Sequence, residues 1–359
     1  MNKFFFLITI IILIFSSCKE NNENPDTETS PVNYNLSEMP YANLSEYNFF
    51  EGNIANLKPV YGVLPYNLIN KLFTDYADKK RFIWMPKDVK AKYITDFEPF
   101  DFPIGTILIK NFYYKDVLPN HNTKIIETRL MIKKPDYWVF ATYQWNDAQT
   151  DASYIMSGVD IPLDFVHNGE TKHVEYRIPP GADCLTCHQS DDNPKPIGPK
   201  PQNINWNYNY TNETKNQMDK WRDFGYLEAD YPENIATVVK WNDQNQTLND
   251  RVRAYLDINC AHCHSDNGYC NYRSMRFAFN KTDNPDNLGI CIVHQEPIGD
   301  APGLSHIVSP QRPDRSVLFY RLNTTDETVR MPLKGRSLIH TEAIVLFENW
   351  INSLENNCN

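Results

Sequence analysis

Two short runs carry the chemistry of this sequence. Cys184-Leu185-Thr186-Cys187-His188 and Cys260-Ala261-His262-Cys263-His264 both read Cys-x-x-Cys-His. Two thiols three positions apart can each add across one vinyl group of the same haem, and the adjoining imidazole then reaches the iron. With 8 Cys and 9 His in 359 residues, chance supplies roughly 0.004 such runs, so a repeated one needs a cause. The spacing points to two covalently bound haem c groups. Cys184 and Cys187 would hold one, Cys260 and Cys263 the other, with His188 and His264 as proximal iron ligands. Three other uses of these thiols compete. A zinc site could take all four, but leaves a His at the same offset in both runs unexplained. A thioredoxin-like pair needs a βαβ setting that the flanking residues do not offer. Plain disulfides within either pair are the third.

The elements that must position these runs divide near residues 180 and 245. Residues 35–180 read as a mainly-β domain. Strands are expected at 81–85, 106–110, 124–132, 138–145 and 173–178, where branched and aromatic residues cluster between Pro and Gly. A short helix is predicted over 68–78. Glu127-Thr128-Arg129-Leu130 alternates like a strand with one wet face, and Asp75, Glu127, Arg129 and Asp147 read as solvated charge. No phosphate loop, nucleophile elbow or dinucleotide fingerprint is present, and no catalytic residue is assigned. Residues 181–245 form the first haem-binding segment and 246–359 the second. Helices are predicted over 213–224, stopped by Gly225, over 249–258, and over 341–354. The last carries an apolar stripe of Ala343, Ile344, Leu346, Phe347, Trp350, Ile351 and Leu354. That stripe must bury, so the last two helices should cross, with Tyr255 and Leu256 meeting Phe347, Trp350 or Ile351.

Residues 248–354 resemble a class I cytochrome c domain. One helix runs into the second motif, an amphipathic helix closes the segment, and Val329-Arg330-Met331-Pro332-Leu333 between them is similar to that family's methionine loop. The resemblance implies Met331 as distal ligand of the second haem. Pro332 disfavours α conformation at Met331 and keeps it in extended chain. His294, His306 or an open position are the alternatives. Ile197-Gly198-Pro199 resembles the Gly-Pro whose carbonyl accepts the proximal His N–H, which would make Pro199 the orienting partner of His188. No methionine loop follows the first motif, so the distal ligand of its haem stays open. Over residues 35–354 the chain resembles a family of exported dihaem c-type cytochromes of unassigned physiological role. The likeness lies in Phe102-Pro103-Ile104-Gly105-Thr106, Glu127 to Leu130, both haem motifs, Tyr255-Leu256-Asp257-Ile258-Asn259 and Met331-Pro332. It implies an α+β multidomain chain: an N-terminal mainly-β domain followed by helical cytochrome c-like haem domain(s).

The remaining features concern address and partners. Met1-Asn2-Lys3, an apolar run from Phe4 to Phe15 and Ser16-Ser17-Cys18 make a signal peptide over 1–17. Small residues before Cys18 resemble a lipobox, with Cys18 as the acylated mature N-terminus and 18–34 as a lipid-anchored flexible tether. A plain signal peptide with an incidental Cys18 is the alternative. The expected place is the cell envelope, at the outer membrane rather than the inner, facing periplasm or cell surface. A formal charge of −10 without a basic block makes nucleic acid a poor partner. Cys270 and Cys291 flank a polar loop, and a bridge between them would close about 20 residues, worth roughly 3 kcal/mol in the chain-entropy model. Pairing with Cys358 or free thiols are the alternatives. The leading function is electron transfer with a redox partner protein. The alternatives are a peroxidase- or oxidase-like haem enzyme with an open first haem, or an envelope docking or carbohydrate-binding module with accessory haems.

Overall fold

Strand-forming runs separated by turn residues pair here in sequence order. The computed structural model describes residues 28–359 except 192, 193, 297, 299, 300, 302, 356, 357 and 359. The signal peptide, Cys18 and the tether up to residue 27 therefore lie outside the described residues. Strands β1 (Leu64–Tyr66), β2 (Asp78–Trp84), β3 (Ile107–Val117), β4 (Asn122–Lys133), β5 (Trp138–Trp145) and β6 (Ala152–Ile155) form an antiparallel meander. The hairpin of β7 (Val159–His167) and β8 (Glu170–Ile178) joins it where Val117 faces Phe165, giving eight strands in one sheet.

Side-chain alternation gives this sheet two different faces. Phe82, Trp84, Ile107, Ile109, Leu130, Ile132, Ala141 and Tyr143 pack under the segment from Val32 to Leu57. That segment begins earlier than the expected tether allows. Trp84 Nε1 donates to Ser30 Oγ at 2.9 Å, Tyr34 lies 5.1 Å from the Trp84 ring, and Val32 is buried. The other face carries Ile83, Leu108 and Trp138 against Ile204, Met218, Trp221 and Ile258. It is the face that meets the first Cys-x-x-Cys-His run.

Among the described residues six α-helices follow or interrupt the loops: α1 (Cys184–His188), α2 (Pro201–Ile204), α3 (Gln217–Phe224), α4 (Leu248–Asn259), α5 (Val317–Leu322) and α6 (Thr341–Ser353). Asn216 caps α3 by accepting from Met218 N–H and Asp219 N–H, and Gly225 at φ 90° stops it. A short strand pair, β9 (Asn207–Asn209) and β10 (Thr214–Asn216), takes the first turn of the helix expected over 213–224. The helix expected over 68–78 does not form. Its backbone donors are taken by other segments: Ile69 N–H by the Asn203 carbonyl, Asn70 N–H by Asn203 Oδ1 and Phe73 N–H by Asn259 Oδ1.

The expectation of helical cytochrome c-like haem domains is overturned. The dominant element of the chain is the eight-stranded antiparallel sheet. Among the described residues between His264 and α6, the one α-helix is the six-residue α5. Left-handed backbone at Gly289, Cys291 and Gln311 and prolines at 285 and 313 break this stretch into turns and isolated bridges. Helices α4 and α6 do pack together. Tyr255 and Phe347 rings lie 5.5 Å apart, Trp350 Nε1 donates to Asn249 Oδ1 at 3.2 Å, and Val252, Leu256, Phe347, Trp350 and Ile351 are buried in one cluster. They do so inside a loop-rich lobe. The expected Cys270–Cys291 bridge is also overturned, because the disulfide joins Cys291 to Cys358. Gln311 N–H donates to the Ile351 carbonyl, so the end of α6 runs beside Gln311. Cys270 is held elsewhere, its N–H on the Cys263 carbonyl.

Candidate functional site

The first motif stands on the sheet. Pro179-Pro180 ends β8, Gly181 N–H donates to the Met156 carbonyl at 3.0 Å, and one turn later α1 presents Cys184, Cys187 and His188. Opposite them, the strand face supplies Leu108, Met131 and Phe140. Together they line a cavity of about 140 Å³. The His188 ring lies 4.8 Å from Phe140. Its Nδ1 donates to the Lys195 carbonyl at 2.7 Å, while Lys195 N–H donates to the His188 carbonyl at 2.9 Å. The expected partner, Pro199, lines the cavity without this role. The reciprocal pair to Lys195 closes the loop four residues earlier than the Gly-Pro offset implied. It fixes the tautomer and leaves Nε2 as the nitrogen available to a metal.

The second motif follows the C-terminus of α4. Cys263 and His264 donate backbone N–H to the Cys260 carbonyl, which turns the chain into a cavity of about 260 Å³. Cys260, Cys263 and His264 line it with Phe277, Ile298, Ile307, Leu318 and Met331. Met331 N–H donates to the Arg321 carbonyl at 3.0 Å. The loop after it is tied at both sides. Buried Arg336 donates to the carbonyls of Met331, Arg321 and Leu338. Buried Asp75, on the sheet side, accepts from Ser337 and Leu338 N–H at 2.7–2.8 Å. His294 lines the same cavity, but both its ring nitrogens lie near carbonyls, of Glu296 at 2.7 Å and Leu304 at 3.3 Å. His306 points Nδ1 at Ser305 and Ser309. Met275 also lines the cavity.

The two motifs meet. Sγ of Cys187, Sγ of Cys263 and a ring nitrogen of His262 lie within 4.8 Å of one another, and Cys263 Sγ donates to the Thr186 carbonyl at 3.3 Å. Cys184 and Cys260 are not in this group; they line separate cavities. A zinc centre made of all four thiols is therefore not assembled. Burial holds the imidazoles of His188 and His264 at about 4, so both are neutral near pH 7. Hydrogen bonding with Cys263 and His262 favours the Cys187 thiolate against burial, whereas burial pushes Cys260 up to about 12. His264 Nδ1 is buried without a partner among the described residues, an open position of the kind that calls for explanation. Two thiols, a neutral imidazole and a mostly apolar cavity at each motif suit a covalent haem.

The charges read as solvated behave otherwise. Glu127 is fully buried, and Arg129 grips it through Nε and Nη2 at 2.8 and 2.6 Å. Tyr176 O–H donates to the same carboxylate at 2.6 Å. Asp75 is buried as described above, and Asp147 alone of the four is exposed. The polar stripe of the strands faces a cavity, not water. Arg81 and Lys110 of that stripe were missed by sequence reasoning. The available signal was a Lys or Arg inside each of three consecutive apolar strands, at Arg81, Lys110 and Arg129. In comparisons with protein-family models, curated proteins and solved structures, nothing matches this chain.

Proposed function

We propose that this chain is a dihaem c-type protein that transfers electrons, exported and held at a membrane through a lipid on Cys18. One observation carries the reading. Cys184 and Cys187 line one cavity with His188, Cys260 and Cys263 line a second with His264, and Cys187 reaches both, its sulphur within 4.8 Å of that of Cys263. Haem bound at each motif would supply a reversible one-electron centre.

The protein's own groups do the rest. The Lys195 carbonyl fixes the His188 ring. Arg336 and Asp75 hold the loop that offers the Met331 sulphur, a soft ligand that raises an iron's potential. Apolar side chains of the sheet and of the loop-rich lobe make up most of the lining of both cavities, and would limit water around a bound haem. Cys187 and Cys263, within 4.8 Å, would tether neighbouring ring edges to one spot, which suits a short relay to a partner redox protein. Among the described residues no helix is long and apolar enough to cross a membrane, so attachment would rest on the lipid.

The test is the pyridine haemochrome content of protein made in a cytochrome c-maturing host. Two haems per chain should survive acid-acetone extraction. Zinc in place of a Soret band would end the proposal. Loss of detergent partitioning in Cys18→Ser checks the anchor.

A further inference from the structure

The sheet wall under the first motif carries a charge pattern that a folded protein avoids unless something answers it. In the strand register, Arg81 faces Lys110 and Lys110 faces Arg129. Three cations thus form one row across β2, β3 and β4, on the face that lines the first motif's cavity. Like charges directly opposite one another destabilise a sheet, and a buried charge without a counter-charge is worse. Arg81 is 4% exposed. Among the described residues neither Arg81 nor Lys110 has a carboxylate within 4 Å. Arg81 reaches only Asn67 Oδ1 at 3.5 Å, and Lys110 Nζ rests over the Phe112 ring at 4.7 Å. The acids nearby are committed: Glu127 to Arg129 and Tyr176, and Asp183 to Lys334 at 3.2 Å. Burial and the neighbouring cations press Lys110 well below the usual lysine range, which an arriving anion would relieve.

We infer that Arg81 and Lys110, beside the Glu127-bound Arg129, form an anion seat for the propionate carboxylates of the haem carried by Cys184 and Cys187. The inference rests on the proposed haem at the first motif. Arg81 and Lys110 have free donors at the wall of the same cavity that His188 and the two thiols line, and carboxylates are what guanidinium and ammonium groups recognise. The seat also sets the first haem apart electrostatically. Its cations favour the reduced iron, which carries one positive charge fewer, and so raise its potential. A small diffusible anion offers the same chemistry, and the test separates the two.

The experiment is a redox titration of the full-length dihaem protein beside Arg81→Gln, Lys110→Gln and Arg81→Lys, with haem counted in each. The Met331→Ala variant identifies which potential belongs to the second haem. Each Gln variant should make reduction of the first haem about tenfold less favourable, 59 mV for a one-electron couple, and leave the second haem unchanged. Arg81→Lys should recover most of the shift. Should one Gln variant fail to fold or load, the other decides. Unchanged potentials in a variant that retains two haems overturn the seat. Saturable movement of the wild-type first-haem potential by inorganic phosphate or acetate, absent in Lys110→Gln, assigns the cations to a diffusible anion and also overturns it. A wild-type chain with no haem on Cys184 and Cys187 removes the underlying reading, and the seat with it.

Discussion

The first motif rests on a sheet and the second hangs between a helix end and a set of loops, although the two pentapeptides differ only at their variable positions. Around Cys184–His188 the wall is made by strand register, so its polar groups come in rows that no loop movement can rearrange. Around Cys260–His264 the wall is made by turns, and the side chain that matters most, Met331, arrives on a loop tied down by Arg336 and Asp75. The same motif thus has a setting fixed by strand register at one site and a Met-bearing loop held by side-chain hydrogen bonds at the other. Under the proposed function, that difference would give two haems of unequal potential in one short chain.

The comparison breaks most sharply at the thiols. Cys184→Ala with Cys187→Ala should remove one of two haems and leave a Met-ligated spectrum. Cys260→Ala with Cys263→Ala should remove the other, and with it the weak long-wavelength band of a Met-ligated ferric haem. Haem content and optical spectra check both. Identical residual spectra from the two variants would mean that the sites are not different in the way described.

Next come the two buried tryptophans. Trp350 is 1% exposed in the α4–α6 cluster, and Trp221 is fully buried against the sheet face. Either Trp→Ala should cost about 3–5 kcal/mol, measured by denaturant titration. Trp350→Ala should loosen the Met331 signal at denaturant concentrations where the first haem is unaffected, and Trp221→Ala should do the reverse. Loss of both signals together would show that sheet and lobe unfold as one unit.

How much of this was legible beforehand differs by region as well. The two Cys-x-x-Cys-His runs, and the proposal of haem attachment that rests on them, needed only the pentapeptides. Strands β2 to β5 and β8, and helices α4 and α6, were legible because their residues carry a clear period. Glu127 and Arg129 were misread because alternation reports that one face is polar and cannot report what that face meets. The absent helix at 68–78 shows a related limit. Its local preference lost to Asn203 and Asn259, which lie far away in sequence and claim its backbone donors. Lys195 took the place of Pro199 because a carbonyl's reach depends on how a loop closes. The helical domain expected around the second motif failed between its two good helices, where Pro and left-handed backbone keep the chain in turns.

The disulfide sharpens the same contrast at a smaller scale. Cys291–Cys358 closes a loop with a sequence separation of 67 that contains α5, Met331 and α6. Cys358→Ser should cost roughly 2–4 kcal/mol and affect the second haem's lobe first. Peptide mapping under non-reducing conditions should find Cys291 joined to Cys358, with Cys270 free. A Cys270–Cys291 peptide would contradict the described pairing.

The smallest effect expected is one of pH, at the joint between the two regions. His340 stands just before α6, and its ring stacks on Phe73, 4.1 Å away and nearly parallel. Its Nδ1 lies 3.1 Å from the Tyr255 hydroxyl of α4. Burial draws this imidazole down from 6.5 to about 4, against some opposing help from Glu342. Between these two values the unfolded chain binds a proton that the folded chain refuses, so stability is full above 6.5 and is lost as pH falls toward 4. At pH 5 the loss from this group alone is roughly 2 kcal/mol. His340→Phe keeps the stack and removes the titration, so its stability should fall less between pH 7 and pH 5 than the wild type's does. Because Phe73 belongs to the sheet side and His340 to the lobe, the wild-type loss should be accompanied by earlier loosening of the Met331 loop than of the first site. Equal pH slopes for the two proteins would place the acid sensitivity elsewhere, and parallel loss of both haem signals would show that His340 does not lie at a joint between separable regions.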